Sequence, residues 1–202
     1  MTIHLHEGDL PDGLEWGEAV AVDTETRGLR LDRDRLCLVQ LAREDGVCHL
    51  VRIHADAEAP RLKALLADPA RLKLFHFARF DLAAIRKYLG VWATPVYCTK
   101  IASRLVRTYS DKHSLAALCR ELLEIELSKA QQSSDWGAPQ LSAAQLEYAA
   151  ADVLYLHRLR DRLDAMLQRE GRTDLARACF DFLPTRCKLD LAGWQEDDIF
   201  TH

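Results

Sequence analysis

Apolar residues along this 202-residue chain fall in short, bounded runs whose spacing changes from strand-like to helical. Ala19-Val20-Ala21-Val22 is small and β-branched, which predicts a buried strand within Leu14 to Thr24 that delivers Asp23 at its end. Leu36 to Ala42 and Val47 to Val51 read as two more strands. The turn Arg43-Glu44-Asp45-Gly46 between them ends in glycine and suits a hairpin. Helical spacing at Leu62, Leu65 and Leu66 predicts a helix over Ala57 to Leu66, stopped by Asp68-Pro69. Leu72 to Phe75 is a short strand, followed by a helix from about Ala78 to Leu89 that Gly90 closes.

Pro95 to Cys98 reads as another short strand, and Ile101, Leu105 and Val106 give the next helix an apolar side. Lys100, Arg104 and Arg107 share the other side, which reads as a solvated charged face. Ser114 is placed to cap a helix to about Leu123, and Ser142 to cap one long helical stretch to about Arg169. Between these two, the polar segment Ser128 to Pro139 predicts a long loop, a kind of segment that often carries function. Arg172 to Leu183 is helical in pattern, whereas Pro184 to His202 lacks periodicity; its Trp194 and Phe200 suit either a neighbouring subunit or the chain's own surface. Three early strands followed by alternating strands and helices define an α/β class with a mixed sheet flanked by helices.

Composition narrows this picture. At 49% hydrophobic, the chain can bury one sizeable core, and its length favours a single domain over residues 1–202. Met1 to Leu10 has no signal-peptide core and no apolar run is long enough to span a bilayer, so a cytoplasmic protein without membrane contact is expected. Six cysteines without a CxxC pair are expected to be buried free thiols. A net charge of −4 argues against a general nucleic-acid coat protein, but clustered carboxylates offset by divalent cations remain compatible with a nuclease.

Three acidic segments carry the candidate chemistry. Asp23-Thr24-Glu25 sits where an apolar strand stops; its one-residue gap is expected to unite both carboxylates only if the strand end bends. Asp81 lies among apolar residues at the start of a helix, where an acid also complements the helix dipole. Tyr148 and Asp152 lie four apart in an apolar helix and therefore share a face. An acid in that setting needs a partner: an arginine such as Arg158, or a metal ion.

Together the three segments resemble the exonuclease motifs of the DEDD superfamily, and Tyr148 is similar to the residue that defines its tyrosine subclass. The resemblance implies a ribonuclease-H-like DEDD exonuclease fold and 3′→5′ hydrolysis of a phosphodiester. It implies two Mg²⁺ or Mn²⁺ ions held by Asp23, Glu25, Asp81 and Asp152, with Tyr148 orienting the attacking water. An all-carboxylate donor set suits such hard cations. Intact acidic residues argue against a catalytically silent nucleic-acid-binding scaffold.

Within the subclass the chain resembles ribonuclease D, although fifty residues follow Asp152 where that family usually carries helical nucleic-acid-binding domains. The phrases His76-Phe77-Ala78-Arg79-Phe80-Asp81, Cys98 to Arg104, Gln131 to Trp136 and Phe182 to Arg186 resemble the short nano-RNase C group. That likeness implies very short single-stranded RNA as substrate, including dinucleotides such as pGpG, and a homo-oligomer, an octamer in that group. A general ribonuclease D-like exonuclease acting on RNA or DNA is the alternative. Substrate contacts are expected from Thr24, from Leu29 as a wedge between bases (or as a core leucine) and from His76. Gln132, Ser133 and Ser134 would cap a 5′ phosphate.

Overall fold

The computed structural model describes residues 2–128, 130–131, 134–196 and 199–201. Its centre is a six-stranded mixed sheet of β1 (Thr2–Glu7), β2 (Ala19–Thr26), β3 (Leu36–Ala42), β4 (Val47–Arg52), β5 (Leu72–Phe75) and β6 (Val96–Cys98). The spatial order is β1-β4-β3-β2-β5-β6. The pairs β2–β3 and β3–β4 are antiparallel, and β1–β4, β2–β5 and β5–β6 are parallel. Every residue of β3 is buried, as expected of a strand covered on both faces. Gly46 adopts a left-handed φ of 83°, and its amide donates to the Arg43 carbonyl, closing the β3–β4 hairpin.

Seven helices among the described residues cover the sheet: α1 (Pro60–Ala67), α2 (Ala78–Leu89), α3 (Thr99–Val106), α4 (Leu115–Leu123), α5 (Ala143–Leu154), α6 (Leu156–Arg169) and α7 (Thr173–Leu191). Both expected serine caps are present. The Ala117 amide donates to Ser114 Oγ at 3.3 Å. The Gln145 amide donates to Ser142 Oγ at 3.2 Å while Gln145 Oε1 accepts from the Ser142 amide at 2.9 Å, a reciprocal capping box. Helix α5 packs over β2, β3 and β4, and α2 packs on α7. No described helix is long and apolar enough to cross a membrane. The six cysteines are free thiols, all buried except the half-buried Cys179.

Four expectations are corrected. Residues 2–7, read only for the absence of a signal peptide, form the edge strand β1, whose backbone pairs with β4 although its side chains carry no long apolar run. The stretch from Ser142 to Arg169 is two helices, broken at Tyr155 (φ −104°, ψ 0°). Helix α7 runs through Pro184 to Leu191. Proline removes one backbone donor there, but Leu183 and Cys187 are buried either side of it, and Asp190 accepts from Arg79 Nε at 2.7 Å and lies 2.8 Å from Arg186. Arg107 is 0% exposed rather than solvated, because α3 ends at Val106 and the next residue leaves helical geometry. Its guanidinium pairs with Glu121 and donates to the Lys112 carbonyl at 2.7 Å.

Candidate active site

Strand β2 supplies the first two acids. Its apolar half, Ala19 to Val22, is buried in the sheet, so the polar half emerges where the core ends. No bend is needed to unite Asp23 and Glu25, contrary to the expectation above, because residues two apart in a strand point to the same face. Helix α5 brings Asp152 over that face. One ligand oxygen from each of Asp23, Glu25 and Asp152 lies within 4.8 Å of the other two. The fourth-residue spacing on α5 also sets Tyr148 beside Asp152, and both line the same cleft. The Arg158 alternative does not hold: Arg158 is exposed, and among the described residues no ion pair joins it to Asp152.

Asp81 stands in the first turn of α2 and is buried. Its Oδ1 accepts a 2.6 Å hydrogen bond from the Thr24 hydroxyl, which fixes its carboxylate next to β2. Thr24 is therefore committed to Asp81 through its side chain. A second support was not foreseen: Gln40, 0% exposed on β3 and directly opposite Asp23 in the antiparallel register, donates from Nε2 to Asp23 Oδ2 at 3.2 Å. A lone amide inside the apolar run Leu-Cys-Leu-Val-Gln-Leu-Ala was the available signal, since a buried amide needs partners.

The electrostatics follow from crowding like charges in a dry place. Burial first, then the carboxylates of Asp81, Asp152 and Glu25, push Asp23 well above the usual carboxylate range. Burial and the same kind of repulsion take Glu25 to about 9. Asp81 and Asp152 rise to about 7, again mainly by burial, with the nearby hydroxyls of Thr24 and Tyr148 working against the rise. Burial and the neighbouring Asp152 also raise the Tyr148 phenol, so it stays protonated at neutral pH. Among the described residues no lysine or arginine pairs with any of the four acids. Converging oxygens, repelling one another and lacking a cationic side chain, are a donor set that fits a hard divalent cation.

These residues line a cleft of about 700 Å³ together with Leu29, His76, Phe77, Lys100, Ser134 and Trp136. Leu29 is 79% exposed, which removes its reading as a core leucine. His76 is held by structure: its Nδ1 lies 2.9 Å from Thr99 Oγ1, and burial lowers it to about 3, so the ring is neutral. Ser134 lines the cleft while its hydroxyl donates to Gln131 Oε1 at 2.7 Å. Gln132 and Ser133 lie outside the described residues. Trp136 is buried with its ring centroid 6.1 Å from that of Tyr148, a backing that sequence reasoning did not identify.

A family model described as 3′-5′ exonuclease matches residues 9–168. Ribonuclease D of Gluconacetobacter diazotrophicus is 37% identical over 155 residues, which are 77% of this chain and 39% of that protein. The chain thus spans about two fifths of the length of the curated ribonuclease D relatives it matches. Among solved structures, Brucella melitensis NrnC bound to pGG is 55% identical with a TM-score of 0.95, covering 100% of this chain and 99% of that one. The same protein with bound Mg²⁺ is 54% identical with a TM-score of 0.94, covering 100% of both chains. Family match, mixed sheet and acidic cleft agree, and the chain belongs to the 3′–5′ exonuclease family, among its ribonuclease D-like members.

Proposed function

We propose that this protein is a 3′→5′ exoribonuclease that finishes off very short RNAs, dinucleotides such as pGpG included, releasing nucleoside 5′-monophosphates. The observation that carries this reading is the convergence of Asp23, Glu25 and Asp152 within 4.8 Å in the cleft, with Tyr148 one helical turn from Asp152 and lining the same cleft. Similarity along the full chain to a protein solved with pGG supports the short substrate.

Asp23, Glu25, Asp81 and Asp152 would hold two Mg²⁺ or Mn²⁺ ions. Bound there, the ions would supply acidity to the attacking water and neutralise charge on the phosphate oxygens. Tyr148, kept protonated by its surroundings, orients the water through its hydroxyl. Gln40 and Thr24 keep Asp23 and Asp81 aimed. In the hydrolysis, a water oxygen forms a bond to phosphorus and the bond from phosphorus to the 3′ oxygen breaks. The 3′ oxygen takes up a proton, leaving a 3′ hydroxyl on one fragment and a 5′-monophosphate on the other.

Leu29, His76 and Ser134, all lining the cleft, would contact the substrate, and Gln132 and Ser133 would join Ser134 in capping the 5′ phosphate. We assign the protein to the cytoplasm as one exonuclease domain over residues 1–202. It would work as a homo-oligomer, an octamer, with the 183–202 segment contributing exposed Trp194 and Phe200 to the contact. Incubating the purified protein with 5′-labelled RNA and DNA of two to twenty nucleotides tests the reading. Rapid conversion of dinucleotides with Mg²⁺ or Mn²⁺, abolished by chelator, is expected. Metal-independent cleavage overturns the mechanism, and preference for long RNA or for DNA moves the protein to a general ribonuclease D-like role.

A further inference from the structure

Phe77 occupies a place the fold gives no reason to fill with a phenyl ring. It is the N-cap residue of α2, where serine, threonine, aspartate, asparagine or glycine is preferred, and it makes no side-chain cap hydrogen bond. Its backbone is left-handed, with φ 66° and ψ 47°, a conformation that glycine or asparagine adopts readily and an aromatic residue does not. The side chain is not repaid by burial, because Phe77 is 47% exposed. Strained backbone of this kind persists where the surrounding structure enforces it, and it clusters at functional sites.

The ring's surroundings say what it could serve. Phe77 lines the acidic cleft together with Asp81, His76 and Leu29. The Lys100 ammonium sits 4.1 Å from its ring centroid, close enough to hold the ring by a cation–π contact, and Lys100 lines the same cleft. Lys100 has no carboxylate partner among the described residues. An exposed aromatic side chain in a cleft that handles nucleic acid offers a π-face to any base, without selecting its identity.

We propose that Phe77 is a stacking platform for a nucleobase held in the cleft, and that Lys100 fixes the ring for that contact. The proposal rests on the reading of the cleft as a site for short RNA. It makes Phe77 a residue that binds substrate and Lys100 a positioning residue.

The test uses the full chain in chelator, so that nothing is cleaved, with two probes: a 5′-phosphorylated dinucleotide carrying 2-aminopurine and a ten-nucleotide RNA carrying 2-aminopurine at its 3′ end. Stacking on Phe77 quenches the fluorescence of the bound base. Phe77→Tyr should keep the quench. Phe77→Asn, which suits the left-handed backbone and so folds, should lose it and weaken binding on the order of 5- to 150-fold. Lys100→Met should keep the quench and weaken binding roughly 2- to 5-fold. With an abasic dinucleotide, wild type and Phe77→Asn should bind equally. Unchanged quench and affinity in Phe77→Asn on both probes overturn the proposal. If wild type ignores the dinucleotide but binds the longer RNA, the short-substrate reading fails, and Phe77 is judged on the longer probe alone.

Discussion

The Thr24 hydroxyl donates to Asp81 Oδ1 at 2.6 Å, tying an acid on α2 to the strand that carries Asp23 and Glu25. Two segments 57 residues apart in sequence are thereby held in one register. Thr24→Val keeps the volume and removes the donor. We expect kcat to fall about 10- to 100-fold, the usual range for losing an outer support of a metal ligand. Thermal unfolding should show a loss of about 1–2 kcal/mol, since a buried charged acceptor loses its partner. Wild-type kcat in Thr24→Val would show that Asp81 needs no such tether.

Gln40 supports Asp23 differently. Its Nε2 is bonded to the carboxylate, but its Oε1 is buried with no hydrogen-bond partner. Gln40→Leu therefore removes one unsatisfied oxygen together with one useful donor, so stability should change by less than about 1 kcal/mol. Mn²⁺ affinity, read by isothermal titration, should drop about 10- to 100-fold. A variant that is destabilised but binds Mn²⁺ normally would assign Gln40 to the core rather than to the site.

For Tyr148 the expected role is orientation. Tyr148→Phe should lower kcat about 10- to 100-fold, at the low end for a positioned proton-handling group, with KM little changed. Burial raises the phenol, so it does not titrate at neutral pH and the pH–rate profile should keep its shape in the variant. A vanished alkaline limb in Tyr148→Phe would instead make the phenol a titrating base.

Divalent ions should stabilise the fold more strongly as pH rises. Glu25 sits at about 9 and Asp81 and Asp152 at about 7, all above their ordinary values of 4.5 and 3.8. Raised carboxyls favour the protonated native state, so without cations their contribution is full below about pH 4 and is lost as pH climbs through 7 and 9. A cation binds the ionised form and reverses that loss. Differential scanning fluorimetry should find Mg²⁺ raising Tm at pH 8.5 by several degrees, about 2.7 kcal/mol at a hundredfold excess over Kd, and little at pH 5. An equal shift at both pH values would contradict the coupling.

The acid side of stability should depend on His49. Its ring is buried on β4, stacks 5.2 Å from both His4 and His6, meets Trp16 edge-on, and lies 2.9 Å from His6 through Nδ1. Burial, then His6, His4 and Arg43, lower it to about 4, with Asp45 acting weakly the other way. A depressed histidine stabilises the fold above about pH 6.5 and loses that contribution as pH falls through about 4. The loss should be about 1–3 kcal/mol. In His49→Leu the fall in urea-midpoint between pH 7 and 4 should flatten; an unchanged slope would place acid sensitivity elsewhere.

Elements whose signals are local were legible in the letters alone. Ala19 to Val22 marked a buried strand, Ser114 and Ser142 marked helix starts, and the spacing of Tyr148 and Asp152 put them on one face. Resemblance of the motifs then pointed to the family, since residue identity and order survive without coordinates. Tertiary structure alone decided what depends on register and on neighbours distant in the chain. The antiparallel pairing of β2 with β3 sets Gln40 opposite Asp23, and the docking of α2 gives Asp81 its bond to Thr24. Only the packed helix pair could show that α7 continues through Pro184, because Asp190 finds Arg79 from α2. Exposure was decided there too: Leu29 and Phe77 look like core residues as letters, yet both stand open in the cleft. Burial is a property of the whole fold's surface, and no window of sequence contains it.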